Sequence, residues 1–319
     1  MHRTSRIFVA GHRGLVGSAV VRILEQEGFR HLILRDRNQL DLCDRSVVKT
    51  FFSETSPDVV ILCAAKVGGI SSNLQLAGEF IEKNLAIQTN VIAEAYLQSI
   101  RELLFLGSSC IYPRDCPQPI EENFLLSGTL EPSNRPYAVA KIAGIEMCWA
   151  YNRQYGTRYL TVMPSNLYGP FDNYDSEHSH VIPGILQRVH HAQLKGARSV
   201  SVWGSGTPRR EFLYSDDLAR ACVFLLTRPT SDIQGLFNDL SPPLINVGPG
   251  TDITVHELAE IICEIVGFNG DIEWDRTKPD GTPRKLLSTS QINKFGWKPS
   301  IDLRQGITIA YQDFLNRHE

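Results

Sequence analysis

No Cys-x-x-Cys pair occurs in this chain, although it carries seven cysteines: Cys43, Cys63, Cys110, Cys116, Cys148, Cys222 and Cys263. An odd count cannot close a complete set of disulfides. Most of these thiols sit in apolar runs such as VVILCAA and ARACVFLL. Buried, reduced thiols are the expectation, and no metal site is expected. Nor is there an apolar run of the ~18 residues that a membrane span requires, or a signal-peptide core near Met1. A cytoplasmic protein with no membrane partner is expected. Excess charge is missing too. A net charge of -3 and a pI near 6.3 exclude a general nucleic-acid or membrane-surface binder. There is no internal repeat and no low-complexity tract.

What is present is ample apolar material, 42% of 319 residues. That is enough for one large α/β unit or two coupled domains. Short apolar runs at Arg6–Ala10, His31–Leu34, Val59–Ala65, Leu103–Gly107 and Tyr159–Pro164 read as strands. Leu15–Glu27, Arg45–Thr55, Phe80–Gln98 and a long stretch holding Lys141 and Tyr151 read as helices. Continuous apolar strands separated by helices predict a parallel sheet covered on both faces. The texture changes after Asn166. A polar loop, YGPFDNYDSEHSH, leads to a helix at Val181–Lys195 and a strand at Val200–Trp203, and GSGTPRREF reads as a binding loop. Asp216–Leu226 reads as a helix returning to the first domain. INVGPG, HELAEIICEIVG and IEWD then read as strand, helix and strand. The predicted fold is a Rossmann-type doubly wound α/β sheet over residues 1–170, joined by 214–248. A smaller C-terminal α/β lobe follows over 171–319, with a cleft between the two.

Gly11, Gly14 and Gly17 follow the first strand and open the first helix. The first allows the tight turn, the second lets backbone approach a pyrophosphate, and the third lets helix pack on strand. The helix N-terminus would face the phosphates. After the second strand an acidic residue would bind a ribose 2′-hydroxyl, and an arginine a 2′-phosphate. The run Arg35-Asp36-Arg37 gives both signals. Arg13, inside the turn, and Arg37 favour NADP(H), a solvated surface side chain being the lesser alternative for each. Asp41 and Leu42 either contact the adenine or, for Asp41, cap the next helix.

Ser108 follows an apolar strand, so its hydroxyl belongs at the carboxyl edge of the sheet. Tyr137 and Lys141 are four apart and share one helix face. A cation beside a phenol lowers its pKa, which suits Tyr137 to proton transfer at a carbonyl or carbinol. Lys141 also suits a nicotinamide ribose. Hydride chemistry at a C–O bond follows from the trio together with the glycine turn.

These residues and the segments around them resemble the extended short-chain dehydrogenase/reductase family. The resemblance runs through AGHRGLVGSA, AAKVGGI, FLGSSCIYP, EPSNRPYAVAKIAGI, NRQYG, NLYGPFDNY, SHVIPGIL, WGSGTPRREF and KPDGTPRKLL, essentially the whole chain. It implies two chemistries at one site: 3,5-epimerisation and then NADPH-dependent 4-reduction of GDP-4-keto-6-deoxy-D-mannose to GDP-L-fucose. It implies that Cys110 and His180 are the epimerisation base and acid, beside Ser108, Tyr137 and Lys141. Cofactor contacts are implied at Gly11, His12, Arg13, Gly14, Leu15, Val16, Gly17, Arg37, Asp41, Leu42, Leu106, Gly107, Ser108, Lys141, Pro164, Asn166, Leu167 and His180. The GDP-sugar is implied to meet Arg188, Trp203, Arg210, Asp280 and Lys285. Trp203 reads equally as a buried aromatic and Asp280 as a turn former before Gly281. Lys66 is either catalytic support or solvated, and Arg209 has no reading. A homodimer joined by the helices at Phe80–Gln98 and Pro136–Tyr155 is implied as well. Related dehydratases place an acid after the catalytic hydroxyl. Here no carboxylate stands between Ser108 and Tyr112, which disfavours loss of water. The alternatives are a reductase or epimerase of another GDP-linked 4-keto sugar such as a heptose, a UDP-hexose epimerase, and a non-catalytic nucleotide-binding regulator.

Overall fold

A computed structural model describes residues 1–175, 179–278 and 280–318. Its first part alternates strand and helix: β1 (Ile7–Ala10), α1 (Leu15–Gln26), β2 (Leu32–Ile33), α2 (Arg45–Thr55), β3 (Val59–Leu62), α3 (Ile70–Gln75), α4 (Ala77–Leu97), β4 (Glu102–Leu106), α5 (Arg135–Tyr155), β5 (Arg158–Pro164) and β6 (Asn166–Tyr168). There follow α6 (Val181–Leu194), β7 (Ser199–Trp203), β8 (Arg209–Arg210), β9 (Phe212–Tyr214), α7 (Ser215–Thr227), α8 (Thr230–Ile233), β10 (Leu244–Val247) and β11 (Ile253–Thr254). The chain ends with α9 (Val255–Val266), β12 (Asp271–Asp275), β13 (Arg284–Lys285), α10 (Ser290–Lys294) and α11 (Leu303–His318).

Six strands form one parallel sheet in the order β10-β5-β4-β3-β1-β2. β1 and β3 are buried along their whole length, as their unbroken apolar sequences require. One face carries α1 and α7, packed through residues such as Val20, Ile23, Leu218 and Cys222. The other carries α2, α4 and α5 through Phe52, Ile92 and Ile145. The chain runs outward from β1 to β2 on one side and to β3, β4 and β5 on the other. The switch point therefore lies between β1 and β3, and a crevice opens there beyond their carboxyl ends.

A second core joins α6, β7, α9 and α11 through Leu186, Val202, Ile262 and Phe314. β7 pairs with β12 in parallel, and β8 lies between β11 and β13. Beyond β13 the chain returns to the first core, where Leu287 packs in the same cluster as Ile120 and residues 118–120 and 286–288 pair. Ile120 N–H donates to Leu286 O at 2.7 Å, Ser288 N–H to Ile120 O at 2.8 Å, and Leu286 N–H to the Gln118 side chain at 2.8 Å.

Several elements differ from the sequence expectation. β2 is two residues long, at the sheet edge. The expected loop at 204–212 contains β8 and the start of β9; two arginines give no apolar alternation to betray β8. The expectation omitted α3 and α11. In α11 a first-turn glycine obscures the pattern, and Gly306 is required because a Cβ there would run into the Tyr168 ring. Asp44, not Asp41, caps α2, accepting from Ser46 and Val47 N–H. Among the described residues all seven cysteines are free, no group of metal-ligating side chains occurs, and no helix is long and apolar enough to cross a membrane.

Candidate active site

A cavity of about 1240 Å³ runs from the glycine turn across the ends of β1, β3 and β4 to the second core. Every site residue expected from the sequence lines it.

At the nucleotide end Gly11 has φ +83°, and a Cβ there would lie 2.8 Å from the Ala64 backbone on β3's exit. A Cβ at Gly17 would overlap the Gly11 carbonyl. Gly14 differs: its added Cβ would meet only Gly11 O, at 3.6 Å, so the room it preserves faces the cavity. No side chain caps α1 at Gly14, which leaves first-turn N–H groups for an anion. The mixed run after β2 resolves as follows. Asp36 Oδ1 accepts from Asn38 and Gln39 N–H at 3.0 and 3.1 Å, and Oδ2 takes Arg13 Nη2 at 3.0 Å. The carboxylate that would hold a 2′-hydroxyl is thus engaged in its own turn. Arg37 is exposed, and among the described residues neither Arg35 nor Arg37 has a carboxylate at ion-pair distance. These groups fit a 2′-phosphorylated dinucleotide.

At the catalytic end β4 delivers Ser108 to the sheet edge. Its side chain caps the short 3-10 turn Ser109–Ile111, accepting Cys110 N–H at 3.5 Å and the Cys110 thiol at 3.0 Å. Tyr137 and Lys141 lie on the first turns of α5. The Lys141 ammonium donates to Leu106 O at 2.7 Å and stands 4.7 Å from the Phe105 ring centre and 5.8 Å from that of Tyr137. Burial brings the Lys141 pKa down to about 8. The sequence predicted a lowered pKa for Tyr137, and the structure reverses the direction. Burial raises it, the Cys110 sulfur adds to the rise, and only the Ser108 hydroxyl opposes it. A desolvated phenol resists ionisation, and the Lys141 ammonium, bonded to Leu106 O, does not offset that burial. His180 is the N-cap residue of α6. Its surface opens into the cavity, while the surrounding protein lowers its pKa by desolvation.

At the far end the Arg188 guanidinium stacks 4.1 Å over the Trp203 ring, and Lys278 sits 5.0 Å from the same ring. Trp203 is 38% exposed rather than a core aromatic. Arg210 donates to Arg209 O and Asp280 O, and burial lowers its pKa. Asp280 holds the loop at Ser205, accepting its N–H at 2.7 Å and its hydroxyl at 2.8 Å. Lys285 lies opposite Arg210 on the neighbouring strand. Arg209 turns away to Asp252, which explains its presence as a strand tie rather than a ligand group. Lys66 pairs with Glu79 at 3.1 Å, and Asn166 donates to Glu211 O at 2.9 Å.

Sequence reasoning passed over Asn134 and Lys278. Asn134 Oδ1 is buried at the cavity wall with no hydrogen-bond partner among the described residues. It is the N-cap residue of α5, three residues before Tyr137, and its side chain makes no capping bond to the helix.

A switch-point dinucleotide cradle joined to a Ser-Tyr-Lys group defines the class: a nucleotide-dependent enzyme acting at a C–O centre. The chain belongs to the NAD dependent epimerase/dehydratase family, whose model matches residues 7–247. It is 52% identical to GDP-L-fucose synthase 1 of Arabidopsis thaliana, over 98% of this chain and 94% of that one. It is 49% identical to GDP-L-fucose synthase of Escherichia coli (strain K12), over 98% of each. The solved structure of the GDP-mannoheptose C4 reductase from Campylobacter jejuni, with NADP bound, superposes with a TM-score of 0.88. That chain is 35% identical and 99% of each chain is covered.

Proposed function

We propose that this chain converts GDP-4-keto-6-deoxy-D-mannose to GDP-L-fucose by 3,5-epimerisation followed by NADPH-dependent reduction at C4. The observation that carries this reading is the position of one thiol. Cys110 shares a hydrogen bond with Ser108, two residues from the carbonyl-binding hydroxyl, and His180 lines the same cavity.

The substrate ketone at C4 acidifies the hydrogens at C3 and C5. Cys110 takes a proton from one face, the electron pair stays on the sugar as an enolate, and His180 returns a proton from the other face. Ser108 donates to the C4 oxygen throughout. NADPH, when bound, supplies the hydride for C4. Tyr137 gives the C4 oxygen its proton, and a phenol that burial keeps protonated is the form the reducing direction needs. Arg188 and Arg210 hold the sugar-side pyrophosphate, with Trp203 and Asp280 shaping that end. Residues 1–170 with 214–248 form the cofactor unit and the remainder of 171–319 the sugar-nucleotide lobe. The enzyme is a cytoplasmic homodimer. Free thiols support that compartment, and exposed Leu97 on α4 and Val139 on α5 support those helices as the seam.

Incubation with NADPH and GDP-4-keto-6-deoxy-D-mannose consumes cofactor, and NMR identifies the product as GDP-L-fucose. In deuterated water Tyr137→Phe still incorporates label at C3 and C5, whereas Cys110→Ala does not. No cofactor consumption sinks the reductase, and equal labelling in wild type and Cys110→Ala removes Cys110 from the mechanism. The full-length likeness to a heptose reductase favours one second reading, a GDP-linked 4-keto heptose. A higher kcat/KM on that sugar would establish it. The loop that discriminates, 173–180, includes residues 176–178, which lie outside the described residues.

A further inference from the structure

We propose that Asn134 is a substrate-binding residue: its side-chain oxygen accepts a hydrogen bond from a hydroxyl on the C2–C3 edge of the hexose. That bond sets how the ring lies over the acid and the base. The inference deepens the epimerase-reductase reading above and rests on it.

Three observations support it. First, the side chain does not serve the helix that it precedes. An asparagine at the N-cap ordinarily accepts N–H of the second or third helical residue. In α5 the second residue is Pro136, which has no N–H, and the Asn134 side chain makes no capping bond. Its Oδ1 is instead shut away from water, with no hydrogen-bond partner among the described residues. A forgone cap and a desolvated, unpaired oxygen both cost stability. A donor carried by a ligand offsets that cost, and polar atoms left open in this way collect at functional sites.

Second, the mount is fixed before any ligand arrives. Asn134 ends the 3-10 turn Pro132–Asn134, and its N–H donates to Glu131 O at 3.3 Å. Glu131 Oε1 caps that turn, accepting Ser133 N–H at 3.3 Å and the Ser133 hydroxyl at 3.1 Å. Glu131 Oε2 is held at 3.5 Å by both Arg114 Nε and the Thr282 hydroxyl. Helix α3 packs on the same turn. An acceptor on such a support is pre-organised for its donor.

Third, the place of Asn134 along the cavity selects the donor. Glu131, Ser133, Asn134 and Tyr137 all line the cavity. One end of this wall meets the second lobe at Thr282, two residues beyond Asp280. The other end is the phenol that serves the C4 oxygen. The hexose spans that interval, with C1 on the diphosphate and C4 across the ring from it. Its C5 edge offers a methyl group and the ring oxygen, neither of them a donor to an amide oxygen. Its C2–C3 edge offers two hydroxyls. Only that edge can satisfy Asn134 Oδ1.

The test measures kcat/KM in the full chain for wild type, Asn134→Ala and Asn134→Asp, on the substrate and on its 2-deoxy and 3-deoxy analogues. Against at least one analogue, the preference of wild type for the substrate should exceed that of Asn134→Ala by ~10-fold or more. Asn134→Asp keeps an acceptor oxygen and should keep that preference to within ~3-fold. Equal preferences in wild type and Asn134→Ala against both analogues would overturn the proposal. Thermal melting without ligands is the second readout. Asn134→Ala should melt no lower than wild type, since it loses no cap and sheds an unpaired oxygen. A melting point lowered by about 2 °C or more, with equal losses on all three sugars, would make Asn134 a helix cap instead. If Asn134→Ala fails to fold by circular dichroism, Asn134→Ser repeats both measurements. A wild type that neither exchanges deuterium nor oxidises NADPH refutes the epimerase-reductase reading. Melting then still separates a helix cap, which overturns the proposal, from an oxygen kept open for a ligand.

Discussion

Replacing Arg37 by alanine should weaken NADPH and leave NADH nearly untouched. The structure sets the size of the effect. Asp36 is occupied by Asn38 and Gln39 N–H and by Arg13, so it does not repel a 2′-phosphate at full strength. Among the described residues Arg37 has no carboxylate at ion-pair distance, so no ion pair must be broken before it meets the phosphate. A charge-assisted hydrogen bond contributes about 1.5–3 kcal/mol. Arg37 is exposed, and screening places its contact at the lower end. About 1.5 kcal/mol corresponds to a roughly 10-fold rise in Kd for NADPH at low salt. Arg13→Ala should do more. It removes a cation and also frees Asp36 Oδ2, which then repels the 2′-phosphate and can accept a ribose 2′-hydroxyl. The ratio of NADPH to NADH affinity should fall by about 100-fold, as two such effects combine. Cofactor fluorescence titration at two ionic strengths measures both. Equal weakening of NADPH and NADH by Arg37→Ala would refute the assignment, as would an Arg13→Ala protein with an unchanged ratio.

Lys141→Met should abolish reduction yet stabilise the ligand-free protein at neutral pH. The folded pKa of about 8 lies below the ordinary 10.5, so burial of the charge costs stability fully below pH 8. That cost fades as pH rises from about 8 to 10.5, because the unfolded chain then holds the proton that the folded chain has lost. The gain is at most about 3 kcal/mol, and the wild-type and mutant melting curves should converge toward alkaline pH. Parallel curves at all pH values would contradict the burial argument. Gly17→Ala forces a methyl into the Gly11 carbonyl. NADPH titration should show lost binding while circular dichroism shows a retained fold, and full binding would refute the close approach. Asp280→Ala releases both Ser205 contacts and should raise KM for the GDP-sugar ~10-fold. An unchanged KM would remove that loop from the substrate site.

The sheet and the catalytic end were legible because their signals are local. Buried parallel strands read as unbroken apolar runs, and Tyr137 and Lys141 share a face by spacing alone. Gly14 was legible for the same reason, but the engagement of Asp36 was not: it depends on Arg13, brought alongside by the β1–β2 pairing. The direction of the Tyr137 shift was misread because neighbours in sequence are visible and desolvation is not. Lys141 bonds Leu106 O, 35 residues away. Trp203 and Asp280 stayed ambiguous for the same cause, since stacking on Arg188 and bonding to Ser205 are tertiary facts. Short polar strands such as β8 and β13 carry no period, and they place Arg210 and Lys285.

The ladder between residues 118–120 and 286–288 also bears on how the molecule melts. It anchors the segment that follows β13 in the first core, where Leu287 and Ile120 share one cluster, and the fully buried Glu211 satisfies N–H groups of Gly250 and Leu287. Removing either core would strand these backbone groups in a newly exposed or unpaired state. Neither core is an autonomous cooperative unit, so calorimetry should record one heat-absorption peak for the whole chain. A fragment ending after β10 should not reach a native-like fold, even though it would hold the complete six-stranded sheet.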